Sequence, residues 1–272
     1  MAQNKIFLQT YGNPEFSRCR DLSVSQPISF VSEESFLAVH DVTLESVGEI
    51  KFSFRTTETN GVLMYGVGRE DAPADLFALM LSDGHLLMVI EIGSGLHLIE
   101  IHSSVAANDG ELHSVNIRHS TDRGTVTYDN KTHSYRHLGR RQQLELTSTL
   151  YVGGFASDAH EHMLRVRLAS SMYVTGYVGC LQDLHVNGQQ IDLSYLSRLQ
   201  HRADVIDRCE STSSQCASHP CFHGGRCIQG WNRFLCDCST TTFTGRVCNE
   251  GIYVTILKFR LLIICTVTSC WR

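Results

Sequence analysis

Six cysteines crowd into residues 216–248, at Cys216, Cys221, Cys227, Cys236, Cys238 and Cys248. A stretch this short cannot bury enough apolar surface to fold on its own, so cross-links must hold it. Zinc is the competing explanation, but structural zinc sites repeat close cysteine pairs as knuckles. The gaps here run four, five, eight, one and nine residues, which fits no such repeat. Disulfides are therefore expected, and they place the chain in an oxidising compartment outside the cell. Spacing alone leaves their pairing open. Cys19 stands isolated, Cys180 and Cys209 form a separate pair in sequence, and Cys265 and Cys270 lie in the tail.

The rest of the 272 residues must supply a core of conventional kind. Hydrophobic residues make up 42% and charged residues 19%, a globular balance that argues against disorder. A net charge of −5 provides no basic footprint, which excludes nucleic acid as the expected partner. Residues 1–15 lack the apolar run and small-residue cleavage site of a signal peptide. The expectation is a piece of a longer secreted protein or a truncated reading of its gene.

Residues 27–209 read as nearly all strand. Ile50, Phe52 and Phe54 alternate with Lys51, Ser53 and Arg55, the period-two pattern of a half-buried strand. Asn60-Gly61 marks a turn, and Ser82-Asp83-Gly84 between residues 76–81 and 86–92 signals a tight hairpin. Further strands are expected at 96–101, 112–118, 125–129, 149–152 and 181–186, separated by turn chemistry at Asp109-Gly110, Asp122-Arg123-Gly124 and Asn187-Gly188. Residues 191–200 fit a short helix or a loop. Many short strands with regular turns imply a two-sheet antiparallel sandwich or a barrel. The polar stretch 210–214 then links this region to the cysteine-rich module. From 250 to 272 the composition turns apolar, but Lys258 and Arg260 interrupt it near the middle, against a membrane span. The tail reads as a strand-like start of a further domain or as unrelated sequence, so membrane attachment is expected only through parts of a full-length protein not in this chain.

The cysteine cluster, with Phe243-Thr244-Gly245 before its last cysteine, resembles an epidermal-growth-factor-like (EGF-like) domain at 212–249. The resemblance implies the pairing Cys216–Cys227, Cys221–Cys236 and Cys238–Cys248. Phe54-Arg55-Thr56-Thr57 with Asn60-Gly61-Val62-Leu63, then Asp83-Gly84-His85-Leu86, then Gly176-Tyr177-Val178-Gly179-Cys180 make residues 27–209 resemble a laminin G (LNS) domain. That implies an all-β jelly-roll sandwich of the lectin type, with Cys180 tied to Cys209. Gly93-Ser94-Gly95 and Gln229-Gly230-Trp231-Asn232-Arg233, with the sandwich followed at once by the EGF-like module, resemble the middle repeat of the neurexin family. On that likeness, which spans 17–249, residues 1–26 are the end of a preceding domain or a linker, and Cys19 closes that domain.

The resemblance also implies a calcium site at the rim of the sandwich, with the Asp75 carboxylate and the backbone carbonyls of Ile92 and Thr175 as ligands. Calcium takes hard oxygen donors, and carbonyls supply several of them without an acidic cluster. Glu70 and Asp71 in the same loop add charge; the plainer reading is a polar strand end. The EGF-like module has Ser213-Ser214-Gln215 before its first cysteine and Gln229 after its third, which does not suit calcium. Asn130-Lys131-Thr132 is an N-glycosylation sequon in a turn between strands. Cys216-Ala217-Ser218-His219-Pro220-Cys221 resembles the O-glucose motif of EGF-like domains, with Ser218 as acceptor.

Catalysis finds no support. His160-Glu161-His162 lacks the second histidine of a zinc-protease motif. His113, His119, His133 and His137 are expected to be scattered sheet and loop residues on the surface. Glu33 and Glu34 are adjacent at an expected strand edge, where neighbours point to opposite faces, so they do not form a glycosidase pair. The expected function is extracellular adhesion of the synaptic-organiser type. The sandwich would bind cell-surface or secreted proteins, with calcium as a possible requirement. The alternative is a lectin-like module that binds glycans.

Overall fold

The computed structural model describes residues 26–42, 47–68, 75–91, 95–120, 123–136, 149–156, 174–209, 215–251, 265–266 and 269–270. Two antiparallel sheets pack face to face. The first carries β10 (Lys131–Arg136), β9 (Arg123–Tyr128), β8 (His113–Ser120), β3 (Val47–Arg55), β12 (Gly179–Val186), β1 (Ile28–Phe30) and β14 (Val205–Ile206) in that spatial order, with β13 (Gln189–Gln190) beside β12. The second carries β2 (Leu37–Val39), β11 (Leu150–Val152), β4 (Gly61–Val67), β5 (Leu76–Ser82), β6 (His85–Glu91) and β7 (Leu96–Ile101).

Alternation explains the first sheet. Ile50, Phe52 and Phe54 of β3 and Val115 and Ile117 of β8 point into the core, while Lys51 and Arg118 face water. Each buried phenylalanine stabilises the sandwich by roughly 1.5–3 kcal/mol. The second sheet is apolar on both faces. Phe77, Leu79 and Leu81 of β5 enter the central core, whereas Leu76, Ala78 and Met80 join Val62, Tyr65, Leu87 and Val89 in a second cluster on the outer face. A register shift between Val62 and Met64 is a bulge that directs both Leu63 and Met64 inward.

The β5–β6 turn is the two-residue Asp83-Gly84, with φ of 48° and 77°, the mirror-image turn that suits strand twist. Among the motif glycines, Gly179 is set by close approach: a Cβ there would collide with the Tyr177 hydroxyl. That hydroxyl lies 2.9 Å from the Arg55 carbonyl and 2.7 Å from the Cys180 carbonyl, tying β3 to β12, and burial pushes its pKa well above the usual phenol range.

Residues 191–200 contain a helix, α1 (Leu193–Leu199), begun by the Asp192 side chain, which accepts the Tyr195 amide at 2.9 Å. Past its end, the Gln200 amide accepts from Ala38 N–H at 3.0 Å and donates to Ala38 C=O at 2.7 Å, closing the β2 edge as a strand would. Strands the sequence pattern did not announce are β1, β2, β13, β14 and β10. The last carries His133, expected in a loop.

The cysteine-rich module is built on the hairpin β15 (Arg226–Gly230) and β16 (Arg233–Asp237), with a small ladder of β17 (Phe243–Thr244) and β18 (Glu250–Gly251). Disulfides join Cys216 to Cys227, Cys221 to Cys236 and Cys238 to Cys248, and Cys180 to Cys209 in the sandwich. The last spans 29 residues, worth about 3–4 kcal/mol in the chain-entropy view. In the tail, β19 (Cys265–Thr266) pairs with β20 (Ser269–Cys270). Among the described residues no helix is long and apolar enough to cross a membrane.

Candidate functional site

The register gives the sandwich two unlike ends. At one end β3 finishes at Arg55, β4 starts at Gly61 and β12 starts at Gly179. There the tip of the cysteine-rich hairpin is seated. Trp231, 1% exposed, packs on Val178, Cys180 and Cys209, with the Arg55 guanidinium 5.5 Å from its ring centroid. Its backbone N–H donates to Glu58 Oε1 at 3.0 Å. Arg233 donates from Nε to Glu58 Oε1 at 3.1 Å and from Nη2 to Glu58 Oε2 at 2.8 Å, and Nη2 also reaches Glu33 Oε1 at 3.0 Å. Burial disfavours the Arg233 charge, but the two glutamates outweigh it and raise its pKa. The Thr56 hydroxyl donates to the Val178 carbonyl at 2.7 Å and accepts the Glu58 amide at 2.9 Å, which fixes the loop that presents Glu58.

At the far end β4 finishes, β5 begins and β6 finishes. Asp75 is fully buried there, its carbonyl accepting Gly68 N–H at 2.6 Å. Glu91, 5% exposed, ends β6 opposite Leu76. The same end carries a cleft of about 620 Å³ between the start of β3 and the ends of β8 and β10, lined by Glu49, Arg118, His119, Tyr135 and Asn187. Arg118 Nε donates to Glu49 Oε1 at 2.9 Å, and this bond holds the Glu49 carboxyl below its ordinary pKa.

Comparison with known proteins agrees with this architecture. The sequence model of the laminin G domain matches residues 54–189, and that of the EGF-like domain matches 216–246. The chain belongs to the laminin G domain family. It is 36% identical over 254 residues to neurexin-2 of Homo sapiens and, to the same extent, of Mus musculus, covering 89% of this chain and 15% of each relative. A laminin G domain followed by an EGF-like domain is thus of the neurexin type here, and the chain spans a small part of its relatives' length. Among solved structures, the LG1-3 region of the laminin alpha2 chain superposes with a TM-score of 0.57 at 22% identity, over 70% of this chain and 36% of that one. Domains LG4-5 of the mouse laminin alpha1 chain give 0.53 at 23% identity, over 62% and 44%. These two establish the fold. Laminin G and neurexin relatives are extracellular recognition proteins rather than enzymes, and this chain is a module of that kind.

Of the residues expected at a calcium site, the laminin G sandwich places Asp75 at the free rim. Glu70, Asp71 and Ile92 lie outside the described residues. Thr175 requires a correction. Its carbonyl accepts Val62 N–H at 2.8 Å, near the start of β4, whereas Asp75 pairs with Gly68 just beyond the end of β4. At about 3.3 Å per strand residue the two are on the order of 15–20 Å apart, so they do not share one ion. Among the described residues no group of three or more His, Cys, Asp or Glu is placed to hold a metal.

Asn130 is exposed in the turn between β9 and β10, and Ser218 is exposed at the end of a 3-10 turn, Gln215–Ser218. Two further expectations are overturned. Glu33 and Glu34 sit in a turn between β1 and β2, not on a strand. His113 and His119 are 5% and 8% exposed, not surface residues. His113 Nδ1 is 3.0 Å from Asp129 Oδ2 and Nε2 is 3.0 Å from Asp109 Oδ1, a clamp that joins the β7–β8 loop to the β9–β10 turn. His137 and His160-Glu161-His162 lie outside the described residues. Glu58, Trp231 and Arg233 were missed as a unit. The only signal was the likeness carried by residues 229–233, which says nothing of Glu58.

Proposed function

We propose that this chain is an extracellular adhesion module that recognises cell-surface or secreted proteins through the rim at Asp75, with a calcium ion held there. One observation carries the reading: a fully buried carboxylate stands at the end of the sandwich that the EGF-like module leaves open. Asp75 is of the hard-oxygen donor class that calcium takes. Bound there, calcium would neutralise Asp75 and stiffen the strand ends around it. Asp75 is the one ligand assigned; Thr175 is left out, being near the other end of β4. With so few carboxylates the affinity belongs to the weak extracellular range, about 10⁻⁴–10⁻³ M. Calorimetry with calcium chloride should register binding in that range and lose it in Asp75→Asn. A wild-type protein that neither binds calcium nor stains cultured cells would defeat the reading. A glycan array run beside the cell assay separates the two classes of partner: signals on the array without protein binding would favour the lectin-like alternative.

A further inference from the structure

Sheet edges are templates for another strand, and folds protect them with short length, charge, bulges or cover. Among the described strands, three of the four sheet edges are protected. β2 is three residues long and closed by the Gln200 amide. β14 has only two residues, Val205–Ile206. β10 carries Lys131 and Arg136 at its two ends. β7 differs. It is six residues, Leu96–Ile101, with no lysine, arginine or proline and an unbroken register against β6, its one neighbour among the described strands.

The turn chemistry determines which backbone groups β7 offers. A mirror-image two-residue turn makes Ser82 and His85 a hydrogen-bonded pair, and hydrogen-bonded pairs then alternate along an antiparallel ladder. His85, Leu87, Val89 and Glu91 thus bond toward β5, while Leu86, Met88 and Ile90 bond toward β7. Their partners on β7 are Ile101, Ile99 and His97. The N–H and C=O groups of Leu96, Leu98 and Glu100 consequently point away from the sheet. Their side chains share the outer face, where Leu98 is 41% exposed.

Beside this edge lies a cleft of about 420 Å³, with Leu87 and Leu98 among its walls and Asp83, His85, Glu100 and His102 around it. Its lining holds two carboxylates, no lysine and no arginine. We propose that the β7 edge accepts an extended segment of a partner protein as an added antiparallel strand, with an apolar side chain over Leu98 and a lysine or arginine facing Glu100. A second copy of β7 is a poor occupant, since it brings no basic residue to Glu100. This deepens the recognition reading above by adding a second surface, one that does not involve the Asp75 rim.

The test uses the ¹⁵N-labelled chain and an acetylated, amidated peptide Thr-Lys-Thr-Leu-Thr-Val-Thr, titrated to millimolar concentration; in the antiparallel register its leucine lies opposite Leu98 and its lysine opposite Glu100. Saturating shifts are expected at the amides of Leu96, Leu98 and Glu100, weakened about tenfold or more when the peptide lysine becomes glutamate. Leu98→Pro removes one outward donor and no β6 bond, a change that edge strands tolerate, and should abolish the shifts. Glu100→Lys should reverse the preference between the two peptides. Asp75→Ala should leave edge binding unchanged, so failure at the rim and failure at the edge are read separately. Shifts elsewhere, no shifts at all, indifference to Leu98→Pro, or dimerisation through β7 in place of peptide binding would overturn the proposal.

Discussion

Asn130 stands exposed in a turn whose first residue, Asp129, takes the left-handed backbone with φ of 50°. Its side chain is therefore presented outward, and Thr132, also exposed, completes the sequon two residues on. This geometry suits a transferase that must reach both residues, and a glycan there projects from the same end of the sandwich as the EGF-like module. The rim at Asp75 is left uncovered. Ser218 is exposed too, its hydroxyl 3.2 Å from the Gln215 carbonyl in the 3-10 turn. When the chain is secreted from animal cells, peptide mass spectrometry should find an N-glycan on Asn130 that enzymatic release removes and Thr132→Ala prevents. A hexose is expected on the peptide holding Ser218. An unmodified Asn130 would remove the first expectation.

The element that joins β7 to β8 depends on Asp109. Burial pushes its carboxyl up, but the Glu111 amide at 2.8 Å and the His113 ring at 3.0 Å outweigh that and hold its pKa below the ordinary carboxylate range. A depressed folded-state value means the contribution is fully present above the ordinary carboxylate range and fades as pH falls through the folded-state value. Asp109→Asn should therefore lower the melting temperature at pH 7 by an amount set by roughly 1 kcal/mol. The gap to the wild type should close as the pH drops below about 4. A gap that stays constant down to pH 3 would contradict the assignment. Elements of this kind also mark where the sequence was legible. β3 and the β5–β6 hairpin announced themselves because alternation and Asp83-Gly84 are local signals. β10 did not, because Lys131–Arg136 lies at an exposed edge with polar residues on both faces. β1 and β2 are three residues each, too short to show a period. The His113 clamp and the place of Thr175 depend on which strands become neighbours, and no local pattern encodes that.

At the scale of the whole molecule, the EGF-like module is seated on the sandwich through a contact that spans 175 residues of sequence between Glu58 and Arg233. Both side chains are largely withdrawn from water, 10% and 22% exposed. Removing one partner leaves the other charge poorly solvated, which costs more than the net value of the pair. Glu58 also accepts the Trp231 amide, so its loss strips two anchors of the hairpin tip together. The sandwich itself should survive, because its core lies elsewhere and the Cys180–Cys209 bridge is covalent and does not depend on Glu58. The expected effect is a module that stays folded but detaches. In a Trp271→Phe background, where Trp231 is the sole tryptophan, Glu58→Ala should shift the emission to the red and open the indole to acrylamide quenching. Arg233→Ala should have a smaller effect, since the Trp231–Glu58 bond remains. Scattering should report a wider spread of distances between the two modules in Glu58→Ala, with calcium calorimetry unchanged because Asp75 lies at the opposite end. If Trp231 stays shielded in Glu58→Ala, apolar packing on Val178 and the disulfide alone holds the two modules together, and the carboxylate is incidental to their orientation.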